Sequence, residues 1–312
     1  MSAAERSDPA IRRCVVAGGS GAVGQLFTAL LADFGRDVCV VDPEPLTAGM
    51  PGVRHLKGDI AAPGRALSDE LAATDLLLLA VPESVALAAM PALADALPSH
   101  TLLADTLSVK SRIAAAVADH APGLQSVGLN PMFAPSLGVP GRPVASVVLH
   151  GGPLVEELLD LVAAAGGRIV RMDAERHDRL AAASQALTHA TVLAFGQALS
   201  ELDVDIEELA AVAPPPHATL LALLARIASG TPEVYWDVQF ANPLADCARD
   251  ALARGVDRLR GLAREGDEED FAHHLDALSG VLGDRLPHLR DLCADLFTRM
   301  PGALPATPEE AV

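Results

Sequence analysis

Near the amino terminus, Gly18-Gly19-Ser20-Gly21-Ala22-Val23-Gly24 has the spacing of a phosphate-cradling turn. Gly19, Gly21 and Gly24 match G-x-G-x-x-G directly after the apolar run CVVA (14–17). In that pattern Gly19 makes the tight turn out of a strand, Gly21 lets backbone approach a pyrophosphate, and Gly24 lets the following helix pack close to the sheet. The N–H groups of the Ala22 turn, flanked by Ser20 and Val23, then face the phosphates with the positive end of a helix. Asp42 closes the next apolar run, DVCVVD, where a carboxylate accepts both ribose hydroxyls of an adenosine. The same charge repels a 2′-phosphate, so NAD is favoured over NADP. The competing reading is a Gly-rich turn in an ordinary α/β protein, with Asp42 as a strand-end cap. Val81 and Pro82 end the run LLLLAV (76–81) and would stand beside the same cofactor.

Two further strand ends carry groups able to do chemistry. ADTLSVKS (104–111) places Asp105, Ser108 and Lys110 at a strand-to-helix turn. Ser108 is either a reactive hydroxyl or the N-cap of the next helix. GLNPMFAPS (128–136) reads as an extended, Pro-interrupted loop carrying Asn130, a residue also common in plain turns. Downstream, Gln185 and His189 lie four apart in DRLAAASQALTHATVLAFGQAL (178–199) and so share one helix face. A lone histidine on an apolar helix is more often a satisfied core residue than a site residue. His217 follows a proline run in APPPHATLLALLAR (213–226) and reads as a helix-start residue or a substrate ligand. His273 and His274 are adjacent, so on a helix they diverge and cannot pair on a metal. No metal site is expected.

These residues need a frame. The chain has 312 residues, a length that suggests two domains. Short apolar runs at 14–17, 37–41, 53–56, 76–81, 101–105, 125–129, 144–149 and 166–170 read as strands. Helical stretches at 22–34, 84–97, 109–120 and 153–165 alternate with them, which argues for a parallel sheet covered on both faces. After Met172 the pattern is helical throughout. The expected organisation is therefore an α/β domain over 11–172 and an all-α domain over 173–298, with disordered ends at 1–10 and 299–312. The 178–199 helix is apolar most of the way round and must be buried by a bundle or by a second subunit. A net charge of −18 and an aromatic content of 3% argue against nucleic-acid and membrane-surface partners and against base-stacking platforms. The four cysteines, Cys14, Cys39, Cys247 and Cys293, form no C-x-x-C pair. No secretory leader or membrane-spanning run is visible, so a soluble, cytoplasmic setting is expected.

Together GGSGAVG, AVPES, DTLSVKS, NPMFAPS and ERHDRLAAASQALTHA (175–190) resemble the prephenate and arogenate dehydrogenase family of tyrosine biosynthesis. The resemblance covers about residues 12–298. It implies a Rossmann domain followed by a helical dimerisation domain, NAD as cofactor, a small-molecule substrate and a homodimer. His177, Asp178, Gln185 and His189 fall in register with the family's E-H-D…Q-x-L-x-H helix. It places Ser108 beside the hydride path and Gln185 and His189 along the opposite wall, with His177 structural.

Two departures stand out. The family's loop reads His-Pro-Met-Phe, and its His accepts the 4-hydroxyl proton as hydride leaves C4. Here that position is Asn130, and an amide is no base near neutral pH. A substrate with an amine at C4 removes the need for one. The sequence is accordingly similar to the 4-amino-4-deoxyprephenate dehydrogenases, the branch of this family that makes 4-aminophenylpyruvate and so supplies p-aminophenylalanine to antibiotic biosynthesis. The family's carboxylate-gripping Arg falls at Ala218, leaving His217, Arg226 and Arg142 as candidate replacements. The alternatives are a prephenate or arogenate dehydrogenase that finds its base elsewhere, and an NAD-binding protein that has lost the chemistry.

Overall fold

The computed structural model describes residues 10–44 and 49–300. The terminal segments expected to be disordered lie almost wholly outside those residues. Two compact units are present: one runs to Ala181 and takes in Phe240–Pro243, and the other comprises Ala182–Gln239 and the chain from Leu244 onward. The first unit thus extends past the change of texture near 172, because the helix after it packs with this unit.

In chain order the first unit contains β1 (Arg13–Ala17), α1 (Ala22–Asp33), β2 (Asp37–Asp42), β3 (Arg54–Lys57), α2 (Arg65–Leu71), β4 (Leu76–Leu79) and α3 (Glu83–Ala96). It continues with β5 (Leu102–Asp105), α4 (Ser111–His120), β6 (Gln125–Pro131), β7 (Pro143–His150), α5 (Pro153–Ala164), β8 (Arg168–Arg171) and α6 (Ala174–Ala181). The eight strands form one sheet in the order β3-β2-β1-β4-β5-β6-β7-β8. Every pairing is parallel except β6 with β7. No crossover helix separates those two strands, so the chain turns back on itself, an exception to the all-parallel sheet expected from sequence. The strand order reverses between β1 and β4, the position at which open α/β sheets bind ligands.

Alternation along the strands sends side chains into two apolar layers. Cys14 and Val16 join Phe27, Leu31 and Leu158 on one face, while Val15 and Ala17 join Met90, Leu93 and Ile113 on the other. β4, Leu76–Leu79, is buried along its whole length, as a central strand covered on both faces must be. Burial pushes the Cys14 thiol up to about 12 and the Cys39 thiol up to about 11, so both act as apolar packing.

The second unit is helical: α7 (Leu187–Glu201), α8 (Ile206–Ala211), α9 (Pro215–Ala228), α10 (Pro232–Trp236), α11 (Ala245–Glu265), α12 (Glu268–Leu282) and α13 (Leu286–Thr298). The single long helix read over 178–199 is interrupted by a π-helical turn at Ala182–Ala186. A π turn widens the helix and frees a carbonyl, and the Gln239 side chain donates to Ala186 O at 2.8 Å. Gln239 itself lies in a second π turn, Asp237–Ala241. α7 buries only Ala190 and Val192, less than a central bundle helix requires. α12 and α13 bury no residue at all. Among the described residues no helix is long and apolar enough to cross a membrane.

α1 packs very closely against the turn after β1. A Cβ at Gly24 would stand 2.2 Å from the Gly18 carbonyl oxygen. Gly24→Ala must therefore push α1 away from the sheet, at a cost of about 1–3 kcal/mol. Urea unfolding of the variant should show that loss, and an unchanged midpoint would refute the close-packing account.

Candidate active site

The carboxyl ends of β1, β2, β4, β5 and β6 carry the sequence-predicted groups of the first unit. After β1, the left-handed residue is Gly18 (φ 81°), one place before the Gly19 expected to make the turn. The reason is contact: Gly18 lies against the backbone of Ala80 and the side chain of Val81, and no Cβ fits there. Gly21 precedes α1 in extended conformation and no side chain caps the helix. The first-turn N–H groups of Ala22, Val23 and Gly24 thus head an uncapped helix, the arrangement that receives an anion. Asp42 ends β2 beside this turn. Its carboxylate accepts Ser20 N–H at 3.1 Å and Glu44 N–H at 2.9 Å, which ties the second strand end to the glycine loop. The Ser20 hydroxyl donates to Glu44 O at 3.1 Å. Pro82 stands exposed at the start of α3, with Val81 half-buried before it. These residues form a cradle that fits a dinucleotide: room over glycine, free N–H groups for phosphate, and a carboxylate for ribose.

After β5, Asp105 and Lys110 form an ion pair buried on both sides. Lys110 also donates to Leu129 O at 2.9 Å, fastening the end of β5 to β6. Burial pushes the Lys110 pKa down, while the Asp105 charge and hydrogen bond oppose that shift. Ser108 does not cap the next helix. α4 begins at Ser111, and its first N–H groups are taken by Asp178 from α6: Lys110 N–H at 2.8 Å and Ser111 N–H at 2.9 Å. Ser108 is half-buried and takes no part in capping α4.

Asn130 lies within β6, opposite Ala145 of β7, rather than in the loop beyond it. It is 4% exposed. Its Nδ2 lies 3.1 Å from His177 Nε2, and His177 Nδ1 lies 2.9 Å from Asp178 Oδ1. Asp178 also accepts the Ser111 hydroxyl at 2.5 Å. Burial alone would raise the Asp178 pKa; its bonds from His177, Ser111 and the backbone of Lys110 and Ser111 outweigh burial and hold it below the ordinary value. Arg142 stacks near Phe133 in the loop after β6, 6.0 Å from the ring centroid, and donates to Leu137 O.

Gln185, His189 and His217 belong to the second unit, separate from the unit that holds Ser108 and Asn130. Gln185 sits in the π turn before α7, so it and His189 are not on one regular helix face. His189 packs edge-on to Tyr235 with ring centroids 5.1 Å apart, and its Nδ1 is buried without a hydrogen-bond partner. Burial, reinforced by the Arg226 charge, pushes its pKa down. His217, in the first turn of α9, packs edge-on to Phe195 at 5.4 Å, and its Nε2 is likewise buried and unpartnered. Ala218 is buried, and Arg226 lies exposed in the last turn of α9. No group of three or more potential metal ligands occurs among the described residues.

The connection from Asn130 through His177 to Asp178 was not visible in sequence. The E-H-D motif marked the residues, but nothing in it showed that Asp178 caps α4 or that His177 reaches β6. The Asp105–Lys110 pair was equally hidden, although a buried lysine five residues after a strand-end aspartate is a signal that could have been read.

An open sheet with a glycine cradle at its switch point, continued by a helical unit, defines a Rossmann-type dinucleotide-binding protein. Residues 173–277 match the family described as prephenate dehydrogenase, dimerization domain. The chain is 54% identical over 288 residues to a 4-amino-4-deoxyprephenate dehydrogenase of Streptomyces pristinaespiralis, covering 92% of this chain and 97% of that one. Among solved structures it is similar to the prephenate dehydrogenase of A. aeolicus in complex with hydroxyphenyl propionate and NAD+, at TM-score 0.71 and 17% identity over 86% of this chain and 96% of that one. The arogenate dehydrogenase of Synechocystis matches at TM-score 0.63 and 18% identity, over 86% and 98% of the two chains. The chain belongs to the prephenate dehydrogenase family and is an oxidoreductase of that family.

The buried ion pair can be tested directly. Lys110→Met leaves Asp105 charged and unpaired, at an expected cost of about 3–5 kcal/mol in unfolding free energy. Lys110→Met combined with Asp105→Leu should recover much of that loss. Equal destabilisation by the single and double variants would contradict this account.

Proposed function

We propose that the chain catalyses NAD-dependent oxidative decarboxylation of 4-amino-4-deoxyprephenate to 4-aminophenylpyruvate. The observation that carries this reading is Asn130, a neutral amide at the end of β6 where the family has a histidine base. The 54% identity to a relative of that name supports it. The cradle of Gly18–Gly24 and Asp42 fits NAD: the α1 N-terminus takes the pyrophosphate, and the Asp42 carboxylate takes the ribose and disfavours a 2′-phosphate. When bound, the nicotinamide accepts hydride.

The substrate supplies its own push. The amine lone pair forms a C=N bond as the C4–H pair leaves as hydride. The C–CO2 bond then breaks, its electrons restore the ring, and CO2 departs. The product is a neutral aniline, so no side chain must retain a proton. Asn130 Oδ1 accepts an N–H from the amine and holds its lone pair in line. Ser108 positions the reacting edge through its hydroxyl. Positioning does most of the work, because aromatisation drives the reaction. Gln185, His189 and His217, all in the helical unit, are kept as candidate substrate ligands.

Two copies of the chain form the working enzyme. Phe271, Leu275, Leu278 and Leu282 make an exposed stripe on α12, and Leu286, Leu289 and Leu296 make another on α13. Helices this apolar and this unburied need a partner. We place the enzyme in the cytoplasm, consistent with the exposed free thiols of Cys247 and Cys293, and read its product as a precursor for antibiotic biosynthesis.

The test is formation of the reduced cofactor from NAD with either the amino substrate or prephenate. The amino substrate should win by at least about a hundredfold in kcat/KM, roughly 2.7 kcal/mol. Asn130→His should raise prephenate turnover relative to the amino substrate. Prephenate used as well or better by the native chain would make it a tyrosine-pathway dehydrogenase, and NAD binding with no turnover of either acid would make it a non-catalytic binder. Separately, Leu275→Asp with Leu289→Asp should halve the mass seen in sedimentation while the sheet unit still binds NAD. A native chain that sediments as a monomer would refute the dimer.

A further inference from the structure

We infer that His177 fixes the Asn130 amide as a hydrogen-bond acceptor, and is thereby a positioning residue for a substrate that carries an amine at ring C4. This rests on the substrate reading above. Asp178 is a buried carboxylate, and an ionised carboxylate only accepts. His177 Nδ1, 2.9 Å away, must therefore carry the ring proton. In the neutral imidazole Nε2 is then a lone pair, and it lies 3.1 Å from Asn130 Nδ2. Only the NH2 end of an amide can donate to a lone pair, so the amide has a single orientation. Among the described residues the Asn130 side chain is bonded through Nδ2, to His177, with no bond found to Oδ1.

The orientation matters to the electrons. An amide oxygen accepts an N–H from the substrate and leaves the nitrogen lone pair free to expel hydride. A flipped amide would donate its own N–H into that lone pair and hold the electrons back. Either orientation makes one hydrogen bond to the amine, so binding is similar in both. The penalty of a flip falls on turnover. Asp178 is itself immobile, because the N–H groups of Lys110 and Ser111 and the Ser111 hydroxyl all converge on it. The helix N-terminus of α4 thus sets, through two side chains, which end of Asn130 is offered.

Selective nitrogen-15 labelling of histidine reads the tautomer without any turnover, with His177 assigned by its loss in His177→Gln. The expected spectrum has the ring proton on Nδ1 and a lone pair on Nε2. An Nε2–H tautomer or an imidazolium would overturn the inference. In kinetics with the amino substrate, His177→Leu should lower kcat about tenfold or more while KM stays within about twofold. His177→Gln, whose Oε1 can still accept from Asn130 Nδ2, should regain most of the loss. NAD affinity, measured by fluorescence, should be unchanged in both variants. A His177→Leu enzyme with native kcat refutes the positioning role. If His177→Leu does not fold, the native spectrum and the kcat of His177→Gln decide: a native-like kcat with the Nδ1–H tautomer supports the inference, and a kcat collapse despite intact NAD binding refutes it. A native chain that prefers the hydroxyl substrate sinks the substrate reading instead, and the spectrum still decides whether the relay exists.

Discussion

The Asp178 carboxylate is the constraint on which the catalytic edge depends. It takes the N–H groups of Lys110 and Ser111 at the start of α4, the Ser111 hydroxyl and the His177 ring. Removing an N-terminal cap costs about 0.5–2 kcal/mol in an ordinary helix. Here the same oxygens also order the turn from Asp105 to Lys110 and the tautomer of His177. α4 has no side chain of its own near its start to do this. A helix distant in sequence supplies it, which frees Ser108 from structural duty.

The two polar systems at this edge have different physical characters. The Asp105–Lys110 pair is sealed in the sheet and fastens two strand ends through charge. The Asp178–His177–Asn130 chain is buried as well, yet it ends on an amide oxygen that no described residue bonds. The first is closed on itself; the second points a defined group outward. On the cofactor side a third arrangement is mostly backbone: glycine contacts and N–H groups, with the Asp42 carboxylate at its edge. Each uses burial for precision, because a low-dielectric setting makes the wrong hydrogen-bond partner expensive.

The sheet was legible in the sequence because its strands are near-continuous apolar runs bounded by turn residues. All eight appear within a few residues of their expected places. The short α2 was missed, since seven residues carry too little periodicity. The reversed direction of β7 was also unreadable, as its pattern is that of any buried strand. Asn130 stood out by its type alone, but its position within β6 depends on pairing with Ala145, a contact remote in sequence. The π turn at Ala182–Ala186 was invisible because alanine suits either helix, and the partner that favours it, Gln239, lies far along the chain. What sequence could not show is in each case a long-range contact.

The helical stretch that begins at Ala174 is shared property. Its first two turns, with His177 and Asp178, belong to the sheet unit, and the chain from Ala182 to Gln239 belongs to the helical one. The sheet unit also claims Phe240–Pro243, where the Asn242 side chain donates to Asp178 O at 2.8 Å. The nucleotide-binding half is therefore not a continuous piece of polypeptide. A fragment ended at Met172 lacks the cap of α4, and a chimera joined there pairs one protein's Asn130 with another's histidine. Recombination between relatives that respects this unit has to carry residues 174–181 with the N-terminal parent and match the 240–243 segment as well, so the helical part is poorly suited to exchange as a module.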